Sequence, residues 1–162
     1  MSPALRRATE SDLDALRALF ADAVRTTGPD AYSPEQVDLW AATAGTEAGF
    51  RRRLLGAWSV VAADAPGGRL LGFGALDGDR VSGLYVAGDA QRRGVGGALL
   101  AAVVAEARRR GVARLRAEAS VFSLGLFRRH GFAVVGADRI ERRGVVFERS
   151  LVELDLAEAP DA

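Results

Sequence analysis

Apolar residues recur along the chain with two different periods, and the switch between them outlines the architecture. A short apolar strand at Ala4–Arg7 runs into Thr9-Glu10-Ser11-Asp12, a capping-box-like helix start. Leu13, Leu16, Phe20 and Val24 then follow at helical spacing. A second helix opens at Ser33 as N-cap, with Pro34 in the first helical position and Gln36 completing the box. Val37, Trp40, Ala41 and Ala44 line one of its faces, and Gly45 ends it. Glu47–Leu54 reads as a third, short helix or turn.

The period then drops to that of strands. Trp58–Ala63, Leu70–Leu76 and Arg80–Val86 are β-rich runs, separated by the turn signals Pro66-Gly67-Gly68 and Asp77-Gly78. Leu99, Leu100, Val103, Val104 and Ala107 define a long amphipathic helix that stops at Gly111. Arg114–Ala119 is a strand and Ser120–His130 a helix, with Gly131 as left-handed cap and Phe132 as the hydrophobic contact after it. Strands near Phe132–Val135 and Val145–Leu154 complete the order. This order predicts a mixed, mostly antiparallel α/β (α+β) sheet of about seven strands flanked by about four helices. The expected organisation is one domain over 1–156 with a loose tail at 157–162.

Composition narrows the chemistry. The 162 residues contain no cysteine and one histidine, His130, so thiol nucleophiles, disulfides and a zinc cluster are not expected. A net charge of +1 gives no general argument for nucleic acid or an anionic membrane as partner. All 22 basic residues are arginine, which rules out the lysine-containing phosphate-loop signature. The triplets Arg51–Arg53 and Arg108–Arg110 read as solvated faces, and Arg128 and Arg129 as surface residues or contacts for a nucleotide phosphate. The most apolar stretch, Val95–Ala105, is too short to span a bilayer, so a cytoplasmic protein is expected.

The informative segment is Leu84-Tyr85-Val86 followed by Gln91-Arg92-Arg93-Gly94-Val95-Gly96-Gly97, where a strand ends and glycines open a long helix. A helix N-terminus offers unpaired amides and a partial positive charge, and glycines let a bulky anion reach them. Arginine side chains add charge for phosphate oxygens. Gln/Arg-x-x-Gly-x-Gly/Ala in this position resembles the acetyl-CoA pyrophosphate signature of the GNAT N-acetyltransferase superfamily. Glu118-Ala119-Ser120 and Phe127-Arg128-Arg129-His130-Gly131-Phe132 look like that family's fifth strand and last helix. Tyr32–Gln36 through Trp40 is similar to a YafP-like branch of it.

The resemblance implies a V-shaped opening between the fourth and fifth strands. Acetyl-CoA would pair there with the backbone of Leu84, Tyr85 and Val86 and rest its pyrophosphate on amides from Arg92 to Gly97. Ser123 and Phe127 would lie toward the thioester, and the amine of a small molecule or peptide would enter past the first two helices, against Tyr32 and Trp40. Most relatives carry tyrosine where Phe127 stands, so no acid is assigned, with water or the hydroxyls of Ser123 and Tyr85 as substitutes. Glu118 is the candidate base; Ser82 stands where some relatives place a glutamate, and His130 reads as a capping or surface histidine. An acyl-CoA-binding module without transferase activity is the alternative. Identity of the amine and a homodimeric assembly are left open.

Overall fold

The computed structural model describes residues 2–157, so the expected tail, apart from Ala157, lies outside the described residues. Seven strands form one sheet in the order β1-β2-β3-β4-β5-β7-β6. They are β1 (Ala4–Arg7), β2 (Trp58–Ala63), β3 (Leu70–Asp77), β4 (Arg80–Val86), β5 (Arg114–Ala119), β6 (Ala133–Arg142) and β7 (Val145–Asp155). Every neighbouring pair is antiparallel except β4 and β5. Five helices flank the sheet: α1 (Leu13–Thr27), α2 (Pro34–Ala41), α3 (Glu47–Leu55), α4 (Val95–Arg109) and α5 (Leu124–Arg129). The expected architecture holds, with Glu47–Leu55 as the additional helix.

Local chemistry accounts for the helix ends. The Ser33 hydroxyl accepts from the Gln36 amide at 3.2 Å, while the Gln36 side chain accepts from the Ser33 amide at 2.9 Å. This reciprocal cap starts α2 where the sequence placed it. At the other end of the chain, Gly131 takes φ 91° and Phe132 N–H reaches back to the Phe127 carbonyl at 3.1 Å. Gly131 N–H bonds the Arg128 carbonyl, so α5 ends in a complete Schellman motif. The Phe127 and Phe132 rings meet edge-on, 5.0 Å between centroids.

Two expected boundaries are corrected. The last helix begins at Leu124 rather than Ser120. The Ser123 hydroxyl accepts from Ser120 N–H at 3.0 Å and lies 3.2 Å from the Ser120 hydroxyl, folding Ser120–Ser123 into a turn instead. Strand β6 runs seven residues beyond Val135, to Arg142. Its second half, Asp138-Arg139-Ile140-Glu141-Arg142, is polar because it is the solvated edge of the sheet, paired only with β7.

The core lies between the sheet and α1 on one side and α4 on the other. Leu16 and Val24 of α1, Val61 and Leu76 of the sheet, and Leu99, Leu100 and Val103 of α4 are essentially fully buried. Gly72 and Gly74 on β3 admit α4 at close range: a Cβ on Gly72 would lie 3.0 Å from Leu99 Cδ1 and 3.3 Å from Val95 Cγ1. That packing fixes the start of α4 against the end of β4.

Candidate active site

Strands β4 and β5 are parallel neighbours for only a short distance. Arg80 registers with Arg116, and Arg116 N–H bonds the Asp79 carbonyl at 2.8 Å. The Arg116 guanidinium also grips the Asp79 carboxylate at 3.0 and 3.2 Å, which holds that carboxyl below its ordinary pKa. Beyond this clasp no further register joins the two strands. The stretch of β4 from Ser82 to Val86 therefore faces an opening instead of a partner.

A cavity of about 370 Å³ occupies the gap. Of the residues singled out from sequence, Leu84, Tyr85, Val86, Gln91, Ser123, Phe127, Tyr32, Trp40 and Glu118 all line it. The loop from Arg92 to Gly97 lies at one end. Gly94 sits in the left-handed region at φ 80°, ψ 5°, as does Arg92 at φ 61°. Alternation of such conformations turns successive amides inward, as in anion-binding nests. Ala98 N–H is the first amide of α4 to reach back into the helix, to Gly94 O at 3.0 Å. The amides of Val95, Gly96 and Gly97 therefore have no intrahelical acceptor.

Several side chains in this loop have structural work that the sequence did not disclose. Val95 is buried in the core that α4 shares with the sheet. The Gln91 side-chain amide donates to the Val86 carbonyl at 2.9 Å, tying the loop to the end of β4. A Cβ on Gly96 would come within 3.0 Å of Leu126 Cδ2, so this glycine also lets α5 approach α4. Gly97 has ordinary room, 3.5 Å from His130 Cε1. His130 Nδ1 sits 3.1 Å from the Leu126 carbonyl, which agrees with a capping role.

At the other end of the cavity the walls are aromatic. Tyr32 meets Trp40 and Phe122 edge-on at 5.4 Å each, and Phe147 at 5.8 Å. Trp40 and Phe122 stack at 6.1 Å. Tyr85 lies between this cluster and Phe20, whose ring is 4.5 Å away. Burial raises the pKa of the Tyr85 hydroxyl, against the opposing pull of the Trp40 indole and the Arg53 guanidinium. Burial raises that of Tyr32 as well. Both phenols therefore remain protonated through neutral pH.

Glu118 is one-quarter exposed, with Oε1 3.4 Å from Arg80 Nη1. Phe127 is buried against Phe132 while lining the cavity. Sequence reasoning missed Phe122, Phe147, Arg53, Arg80, Arg142 and Arg149, which line the same cavity. Arg53 was read as part of a solvated triplet. Its guanidinium instead turns back to the Thr43 and Ala44 carbonyls at 2.6 and 2.9 Å, at the cavity wall. Phe147 and Arg149 reach the site because β7 pairs with the extended β6, which no local pattern announces.

The acetyltransferase (GNAT) domain model matches residues 29–149. The chain belongs to the GNAT acetyltransferase family. It is 29% identical over 145 residues to an uncharacterized N-acetyltransferase, YafP, of Escherichia coli K12, covering 88% of this chain and 89% of that one. A GCN5-related N-acetyltransferase structure from Rhodopseudomonas palustris superposes with a TM-score of 0.91 at 30% identity, covering 96% of this chain and 97% of that chain. A PaiA N-acetyltransferase from Thermoplasma acidophilum, solved with coenzyme A, shares the fold at a TM-score of 0.76 and 16% identity, covering 96% and 99% of the two chains. YncA of Salmonella typhimurium, solved with acetyl-CoA, does so at 0.68 and 23%, covering 100% and 99%. Among the described residues no helix is long and apolar enough to cross a membrane.

Proposed function

We propose that the protein transfers an acetyl group from acetyl-CoA to the amine of a small molecule or peptide, by direct attack within a ternary complex. The observation that carries this reading is the parting of β4 from β5 immediately beside the free amides of α4. A thioester cosubstrate with a pyrophosphate and an amide-rich arm fits such a cleft at both ends. The structures of PaiA with coenzyme A and YncA with acetyl-CoA support the choice of ligand.

In this account the amides of Val95, Gly96 and Gly97, with the positive end of the α4 dipole, hold the pyrophosphate. Arg92 and Arg93, both exposed, add charge to phosphate oxygens. The backbone of Leu84–Val86 pairs with the pantetheine arm like an added strand, and an amide near Val86 receives the oxyanion of the tetrahedral intermediate. The free amine attacks the thioester carbon, the C–S bond breaks, and the thiolate leaves. A thiol pKa near 8.5 lets it depart without full protonation. Proton delivery then falls to water or to the Tyr85 hydroxyl. The Ser123 hydroxyl is already engaged with Ser120. Glu118 accepts the ammonium proton, directly or through water.

Release of free CoA thiol from acetyl-CoA, measured with and without amines, tests the reading. The protein has no cysteine, so a thiol reagent reports product alone. Amine-dependent thiol release and an acetylated amine are expected. Tight acetyl-CoA binding with no release across all amine classes would assign the chain to acyl-CoA binding without transfer.

A further inference from the structure

We propose that the acceptor is an amine that also carries a carboxylate on a flat apolar skeleton, an aromatic aminocarboxylate. This rests on the transferase reading above and names the substrate class that the same cavity selects.

The argument begins with charge. Four guanidiniums line the cavity, from Arg53, Arg80, Arg142 and Arg149, against a single carboxylate, Glu118. Their partners differ. Arg149 is neutralised by a two-pronged bond to Asp138, at 2.9 and 2.6 Å. Arg80 meets Glu118 only at 3.4 Å. Arg53 bonds neutral carbonyls. Arg142 has no hydrogen-bond or ion-pair partner among the described residues. Two cationic charges, those of Arg53 and Arg142, therefore remain uncompensated in a protein whose net charge is only +1.

Arg80 stands too far away to serve the pyrophosphate. Arg80 begins β4 and Val86 ends it, a span of roughly 20 Å at strand rise. The α4 amides lie at the Val86 end. Arg142 belongs to the β6–β7 hairpin, whose turn residues Arg143 and Gly144 take φ 51° and 79°. Gln36 Nε2 of α2 bonds the Val146 carbonyl at 3.0 Å and holds this hairpin over the acceptor end. In register, Ile140 faces Phe147 and Arg142 faces Val145, so the cation sits at the rim of an apolar floor.

The aromatic walls supply the second half of the argument. Tyr32, Trp40, Phe122 and Phe147 form a chamber suited to a flat apolar body. A polyamine would bring several positive charges among the arginines and is disfavoured by them. A cavity of about 370 Å³ shared with the pantetheine arm also limits the acceptor to a small molecule.

Phenylalanine and phenethylamine differ by the carboxylate and make the test. In thiol release, phenylalanine is expected to exceed phenethylamine in kcat/KM by roughly 10- to 100-fold, the range of one charge-assisted hydrogen bond. Arg142→Gln, at an exposed hairpin position where folding is not at stake, should bring that ratio close to one. Binding of N-acetylphenylalanine and N-acetylphenethylamine to the CoA-loaded protein, followed by calorimetry, reads the same preference without requiring turnover. Equal or better use of phenethylamine or spermidine, or equal binding of the two acetylated compounds, would overturn the inference while leaving transfer intact. Failure of turnover with a preserved tenfold binding preference would instead overturn the transferase reading and leave the anion preference standing.

Discussion

The Gln91 side chain donates to the Val86 carbonyl at 2.9 Å, so the residue that opens the glycine loop also latches it to the strand that borders the cleft. Four residues lie between them in sequence, and three of these, Gly88–Ala90, form a single 3₁₀ turn. The latch sets where the α4 amides stand relative to β4.

Gln91→Ala removes the latch without disturbing a buried side chain, since Gln91 is exposed. Loss of one neutral hydrogen bond is worth about 0.5–1.5 kcal/mol. Acetyl-CoA affinity is expected to fall by about 2- to 12-fold by calorimetry, with the melting temperature nearly unchanged. Unaltered affinity would show that the loop keeps its shape without the latch.

Phe127 packs on Phe132 through a geometry worth about 0.5–1.5 kcal/mol beyond its burial. Phe127→Leu should therefore lower the melting temperature, and Phe127→Tyr should keep turnover within about tenfold of the native rate. A collapse of kcat by more than about 10³ in a folded Phe127→Tyr protein would exceed a single-acid effect and give the position another role.

Glu118→Gln should reduce kcat/KM by roughly 10²–10⁴ near neutral pH if Glu118 takes the ammonium proton, and the deficit should shrink as pH rises and free amine accumulates. Acetyl-CoA affinity should hardly move. A near-native rate with an unchanged pH profile would point to solvent as the proton acceptor.

Asp12 is buried and accepts both prongs of the Arg6 guanidinium at 2.8 Å, along with the Thr9 amide at 2.8 Å. The Arg6 hydrogen bond is the main cause holding its carboxyl below the ordinary value, against the opposing effect of burial. A depressed carboxyl stabilises the fold above the unfolded pKa, about 3.9, and that stabilisation is lost as pH falls through the folded value. Arg6→Ala should lower the melting temperature at pH 7, and the gap from the native protein should narrow below about pH 4. A gap independent of pH would mean that Arg6 contributes through packing alone.

Much of this arrangement is legible in the sequence. The strand bounds of β1, β2, β4 and β5, the α2 cap and the Gly131 stop rest on short-range chemistry that a sequence displays directly. The Gln91–Gly97 loop was legible for the same reason, since its glycines are local signals. The acceptor end was only half visible. Tyr32, just before α2, and Trp40 on it stood out, but Phe147, Arg142 and Arg149 meet them through the pairing of β5, β7 and β6. Asp138 to Arg142 fell outside the strand read near Phe132–Val135, because the solvated edge of a sheet gives its residues a polar pattern. Arg53 resembled its neighbours Arg51 and Arg52, and only the turn of α3 separates them. Gly96 was read for the anion alone, whereas Leu126 shows that it also serves packing.

The most direct measurement of the central claim is calorimetric titration of acetyl-CoA into the native protein and Gly97→Asp. Position 97 has ordinary space for a Cβ, and an aspartate in the first turn suits the helix dipole. The variant should therefore fold as stably as the native chain while setting a carboxylate among the amides assigned to the pyrophosphate. One acetyl-CoA per chain is expected for the native protein, with affinity reduced at least about tenfold in Gly97→Asp, the loss of one charge-assisted bond or more. Unchanged affinity in a folded Gly97→Asp protein would contradict the placement of the cosubstrate on α4.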